Sequence, residues 1–149
     1  MTDMLPDTPC ACLHVRRTGR QLSQMYDQYL RGAGIRSTQY AMLRCVEALP
    51  VPFISDIGRA LGMDQTTVTR NIGTLERRGL VKTRVHPDDP RKKMVELSAA
   101  GLDVLEQARP LWREAQDAVV ARMGRDEYAA LLRLLRKLSD AARAETAPA

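Results

Sequence analysis

The stretch that most constrains this chain runs from residue 54 to residue 97. Ile54, Ile57 and Leu61 recur at helical spacing, and Gly62 stops the segment. Asp64 then opens a second segment, with Val68, Ile72 and Leu75 on its inner side and Gly79 at its end. Only Gly62, Met63 and Asp64 join the two. Two amphipathic helices with so tight a glycine-containing joint form a helix-turn-helix. LVKTRV (80–85) and MVEL (94–97) follow at once, with Val81, Thr83 and Val85 on one face of the first. The intervening HPDDPRKK is rich in turn formers, so this part reads as a β-hairpin with Arg91, Lys92 and Lys93 near its tip. A helix-turn-helix running directly into two strands is a winged helix.

Helices flank that unit. From about Cys10 to Arg31, Cys12, Val15, Gly19, Leu22, Tyr26 and Tyr29 recur at spacings of three and four, and the glycines of 32–34 end the helix. Ser37 is placed to cap a helix of about 37–49 carrying Tyr40, Leu43 and Val46, which Pro50 and Pro52 end. Beyond the hairpin, Ser98 caps a helix of about 98–122 with Leu102, Leu105, Trp112, Ala115 and Val119 inward, and Pro110 is expected to kink it. Gly124 separates it from a last helix, about 126–144, carrying Tyr128, Leu131, Leu132, Leu134, Leu135 and Leu138. Residues 1–9 read as a loose tail. The expected fold is mainly α with one small hairpin wing.

Composition narrows the function. At 149 residues the chain suits a single domain of 1–149 with a real core. Its beginning lacks the apolar segment of a secretory signal, and no apolar run reaches the roughly 20 residues that span a bilayer. The expected compartment is the cytoplasm, with no membrane partner. Cys10, Cys12 and Cys45 have no metal spacing, and His14 and His86 complete no zinc pattern, so no metal and no cofactor are expected. No nucleophile–base motif or phosphate loop is present, so the chain reads as a non-enzyme. The net charge of +5 is concentrated: residues 64–93 carry 8 cations against 4 anions, whereas residues 98–149 carry 8 of each. A local basic surface beside a neutral helical tail points to a polyanion bound by one part of the molecule.

The outward residues of the second helix fit that partner. They are Gln65, Thr66, Thr67, Thr69, Arg70, Asn71 and Thr74, followed by Arg77 and Arg78. Threonine is a mediocre helix former, so four in nine residues require another reason. Short hydroxyls approach base edges closely, and an arginine donates two bonds to guanine. A helix of this length, about 22 Å, fits a major groove. Ser37, Arg84, Arg91 and Lys92 complete the candidate DNA-binding set with Gln65, Thr66, Thr67, Thr69, Arg70 and Arg77. Asp89 is placed to aim Arg91 by a short ion pair.

TVTRNIGTLERRGLVKTR followed by DDPRKKMVELSAAG resembles the signature of the MarR-type (multiple antibiotic resistance regulator) winged-helix repressors. GIRSTQYAMLRCV and ISDIGRALGMD resemble the family's second and third helices, and the likeness covers about residues 12–140. It implies a homodimer, with a DNA-binding lobe of about 37–97 and dimerisation helices of about 10–33 and 98–145. Two recognition helices would then enter successive major grooves of pseudo-palindromic double-stranded DNA. Phe53 departs from the family, which favours Ser or Thr as the cap before the third helix.

The resemblance also implies a switch. Family members commonly release DNA on binding a small phenolic or aromatic acid, and Arg16, Arg17, Tyr26, Tyr40 and Met42 are the candidate contacts. The expected function is thus a homodimeric repressor released from its operator by such an effector. An alternative rests on residues 12–40, which align without a gap with the peroxide-sensing branch of the family. Cys12 falls on that branch's reactive cysteine and Tyr26 on one supporting tyrosine, while Ser37 replaces the other. Cys10 and Cys12 would point apart on a helix. A winged helix used for protein contacts alone is the remaining alternative.

Overall fold

The structure, a computed structural model, describes residues 10–146; the expected tail over residues 1–9 lies outside them. In chain order the elements are α1 (Ala11–Leu30), a 3-10 turn (Arg31–Ala33), α2 (Ser37–Ala48), α3 (Ile54–Leu61), α4 (Gln65–Arg77), β1 (Val81–His86), β2 (Asp89–Leu97), α5 (Ala99–Met123) and α6 (Arg125–Thr146). The packing divides the chain into two compact units, one ending at Trp112 and the other starting at Arg113.

The first unit holds the core. Leu30, Met42, Leu43, Ile57, Val68, Ile72, Leu75, Val81, Val95 and Leu105 are its largest fully buried side chains. They come from α1 to α5 and both strands, because each element turns one apolar face to the same centre. Gly34, Gly62, Gly79 and Gly124 have positive φ, each just past a helical segment, as expected of glycine at a helix end. Asp64 caps α4 as expected: its Oδ1 accepts the Thr67 N–H at 2.8 Å. Ser98 caps α5 through its hydroxyl, which accepts the Gly101 N–H at 3.0 Å.

Four details differ from the sequence reading. Ser37 is the first residue of α2 and not its cap; Arg36 occupies the cap position in extended conformation. The free N–H groups find other acceptors there. Gln39 accepts from Arg36 N–H at 3.0 Å, and Asp27, ten residues back, accepts from Ser37 N–H at 2.6 Å. Leu102 is exposed; Gly101, Leu105 and Ala108 face inward instead. Gly101 sets that rotation, because a Cβ there would clash with the carbonyl oxygen of Leu80. The wing strands are longer than their apolar alternation suggested, so Arg91, Lys92 and Lys93 belong to β2 and not to the turn. Finally, Val85 lies 53% exposed although Val81, on the same face, is buried. The wing grips the core at its base and leaves it farther out.

The second unit comprises the end of α5 and all of α6. Gln116 Nε2 donates to Tyr128 Oη at 2.5 Å, tying the two helices. Leu132, Leu134, Leu135 and Leu138 are all exposed on α6. No helix among the described residues is long and apolar enough to cross a membrane.

Candidate nucleic-acid interface

The N-terminal turn of α4 presents the predicted face. Gln65, Thr66, Thr69 and Arg70 are exposed, and no hydrogen bond or ion pair among the described residues ties their side chains to the fold. Thr67 differs: its hydroxyl donates to Asp64 Oδ2 at 2.6 Å, so it belongs to the cap. These two bonds hold the Asp64 carboxyl below its usual range, the side-chain bond from Thr67 contributing most and its backbone N–H next. Asn71 turns back onto the Thr67 carbonyl at 2.8 Å. Thr74 and Arg77 pair with each other at 3.0 Å, which leaves the N-terminal half of α4 as the unencumbered part.

The wing stands beside that half-helix. β1 and β2 pair antiparallel from Val81↔Leu97 to Val85↔Lys93, after which the register jumps to His86↔Asp89. Pro90, Arg91 and Lys92 therefore fall in a bulge of β2, and the two cations project from it. Asp89 accepts the Arg91 backbone N–H at 3.1 Å and faces its Nε at 3.4 Å. Arg84 pairs across the strands with Glu96 at 3.2 Å and remains largely exposed. A cleft of about 320 Å³ opens between wing and helix. Gln65 and Thr69 line it on one side, Arg91, Lys92 and Lys93 on the other, with Phe53, Ile54 and Ser55 at the start of α3. The structure thus gathers Gln65, Thr69, Arg91 and Lys92, while Ser37 is placed half-buried at the start of α2.

Several residues outside the sequence-derived set fix this geometry. Glu76, near the end of α4, accepts both the Thr83 N–H at 2.9 Å and the Thr83 hydroxyl at 2.7 Å. The Thr83 hydroxyl, its N–H and then Lys93 hold the Glu76 carboxyl below its ordinary range. Arg78 donates to the Gly34 carbonyl at 2.8 Å and to Gln39 at 3.2 Å, pinning the other end of α4 to the start of α2. Nothing local announces these contacts, since the partners lie 7, 44 and 39 residues apart.

Among the described residues, the effector candidates divide between the buried face of α2 and the surface of α1. Met42 is 0% exposed in the core, and buried Tyr40 stacks on Trp112 with ring centroids 5.8 Å apart. The face of α2 that carries them packs inward. Arg16 lines an open groove with Gly19, Arg20, Ser23, Gln24 and Asp27, whereas Arg17 and Tyr26 are half-buried on α1. Cys12 is exposed on α1, Cys10 is exposed at its N-terminal boundary, and Cys45 is half-buried. Burial, and then Asp56, push the Cys45 thiol up, away from the reactive thiolate.

The sequence model of the MarR family matches residues 35–93, which span α2, the helix-turn-helix and most of the wing. The crystal structure of the Mycobacterium tuberculosis transcriptional regulator MosR in complex with DNA is 36% identical, with a TM-score of 0.85, over 93% of this chain and 99% of that one. Among curated proteins, the Escherichia coli O111:H- transcriptional regulator HosA is 26% identical over 81% of this chain and 93% of its own length. The Pseudomonas putida HTH-type transcriptional repressor NicR is 25% identical over 85% of this chain and 80% of its own. With the family's pattern lying on the helices and wing just described, and a relative matched along nearly its full length, this chain belongs to the MarR family of winged-helix transcriptional regulators.

Proposed function

We propose that the protein is a sequence-specific DNA-binding repressor that acts as a homodimer on a pseudo-palindromic site. One observation carries this reading: Gln65 and Thr69, on the exposed face of α4 that also carries Thr66 and Arg70, share a cleft with the cationic bulge of β2. α4 is the right size for a major groove, and its N-terminal end carries the favourable end of the helix dipole. Arg91 and Lys92 then meet the adjacent phosphates or the minor groove. The likeness to MosR, which was solved with DNA, supports the DNA partner, and NicR's designation as a repressor supports the direction of control. Val15 and Leu22 on α1 are exposed apolar residues, as are Leu134, Leu135 and Leu138 on α6, and each set offers apolar area to a second copy. A small anionic aromatic effector is the expected release signal, and Arg16 and Arg20 on the open groove of α1 are its cationic attachment points.

The test is selection of bound sequences from a random duplex pool, repeated in the presence of aromatic acids. A bipartite inverted motif is expected, with half-sites about one helical turn apart. Arg70→Ala should cost about 1–3 kcal/mol and relax the preference at one position in each half-site. A pool that returns no motif, or binding that ignores salt, would sink the reading.

A further inference from the structure

We propose that Phe53 is a positioning residue for DNA binding, acting as an aromatic platform that holds the Lys92 ammonium over the cleft without neutralising it. The inference rests on the DNA-binding reading above and goes beyond it. Phe53 occupies the position before α3 and has no side-chain cap to offer there. Its backbone does a second job. Phe53 forms an antiparallel bridge with Met94, and the preceding Pro52 carbonyl accepts the Val95 N–H at 2.9 Å. β2 is therefore held on both edges, by β1 and by this short segment. The ring lies 5.6 Å from the His86 ring, tilted by 54°, and 5.8 Å from Lys92 Nζ.

The location matters because Lys92 sits in the bulge, where the ladder fixes nothing. Asp89 reaches it only at 4.0 Å. A carboxylate strong enough to hold the ammonium would also cancel the charge that a phosphate needs. The face of an aromatic ring attracts a cation through its quadrupole and carries no net charge. It orders the ammonium and leaves its full positive charge for the ligand. A serine or threonine at residue 53 would cap α3 and leave Lys92 without that surface.

The experiment uses the full-length protein and its selected duplex, with affinity titrated across salt concentrations and the unfolding midpoint measured alongside. Phe53→Leu keeps an apolar side chain and loses the ring; Phe53→Trp keeps a ring. Phe53→Leu is expected to weaken binding about two- to fivefold, the range of an exposed cation–π contact, and to flatten the salt dependence. Phe53→Trp should bind like the parent. Lys92→Met should weaken binding too, and adding Phe53→Leu to it should change little more, whereas Phe53→Leu should add in full to Arg84→Met. Parent-like binding by Phe53→Leu, or full additivity with Lys92→Met, overturns the inference while the DNA reading stands. A parent protein that selects no duplex overturns both.

Discussion

At the scale of single residues, two carboxylates link local geometry to acid sensitivity. Asp64 caps the recognition helix and Glu76 fastens that helix to the wing. Both are held below their ordinary values of 3.8 and 4.5, chiefly by the hydroxyl of Thr67 in one case and of Thr83 in the other. A carboxyl depressed in the folded state contributes stability that is complete above its unfolded value and is lost as pH falls through the lower folded one. Thermal stability should therefore be flat above about pH 5 on account of these two groups and decline in acid below it. Asp64→Asn should retain part of the cap, since asparagine also accepts the N–H bond, and should shrink the acid dependence. A melting midpoint whose slope against pH is unchanged in Asp64→Asn and Glu76→Gln would refute the assignment. Met42, which the family resemblance offered as a candidate ligand contact, is fully buried in the core.

Between elements, the decisive contact is where α5 leaves the wing. Ser98 N–H donates to the Leu80 carbonyl at 3.1 Å, and its hydroxyl donates to Gly79 at 2.5 Å while accepting from Gly101. Gly101 sits flush on the Leu80 backbone, which cannot swing aside as a side chain would. In most helices Gly→Ala is stabilising, by about 0.5–1 kcal/mol. Here the sign should reverse: Gly101→Ala is expected to cost about 1–3 kcal/mol or more through overpacking. A chain of this size loses roughly 2–4 °C of Tm per kcal/mol, so differential scanning calorimetry resolves the effect. An unchanged or raised Tm would show that α5 can shift away from Leu80. Gly101 appeared in the sequence only as the end of the SAAG run, and no periodicity distinguishes a helix glycine that is tolerated from one that is required.

For the whole molecule, the question is what covers the leucines of α6. Leu134 is 57% exposed, and Leu135 and Leu138 are each 41% exposed. Apolar area of this kind is stabilised by removal from water, at about 25 cal/mol per Å². For the homodimer proposed above, the double substitution Leu135→Glu, Leu138→Glu should therefore change the sedimenting species from twice the subunit mass to the subunit mass. It should also weaken binding to a two-half-site duplex by about 100-fold or more, because the second half-site is then no longer bound intramolecularly. Helical content should be retained, since neither side chain is buried in the subunit. A variant that still sediments as a dimer would place the self-contact elsewhere.

The order of elements, the Asp64 and Ser98 caps, the glycine stops and the apolar stripes of α3 and α4 were all legible in the sequence. Each depends on residues within one or two helical turns of one another, where spacing and side-chain type suffice. Tertiary structure alone decided that Asp27 and not Ser37 satisfies the start of α2 and that Tyr40 and Met42 face the core. It also decided that the wing cations leave from a bulge, with Phe53 beneath Lys92 and Glu76 grasping Thr83. Those outcomes join segments far apart in the chain. Periodicity reports which face of a helix is apolar, but which distant group arrives to meet it is settled only when the whole core closes.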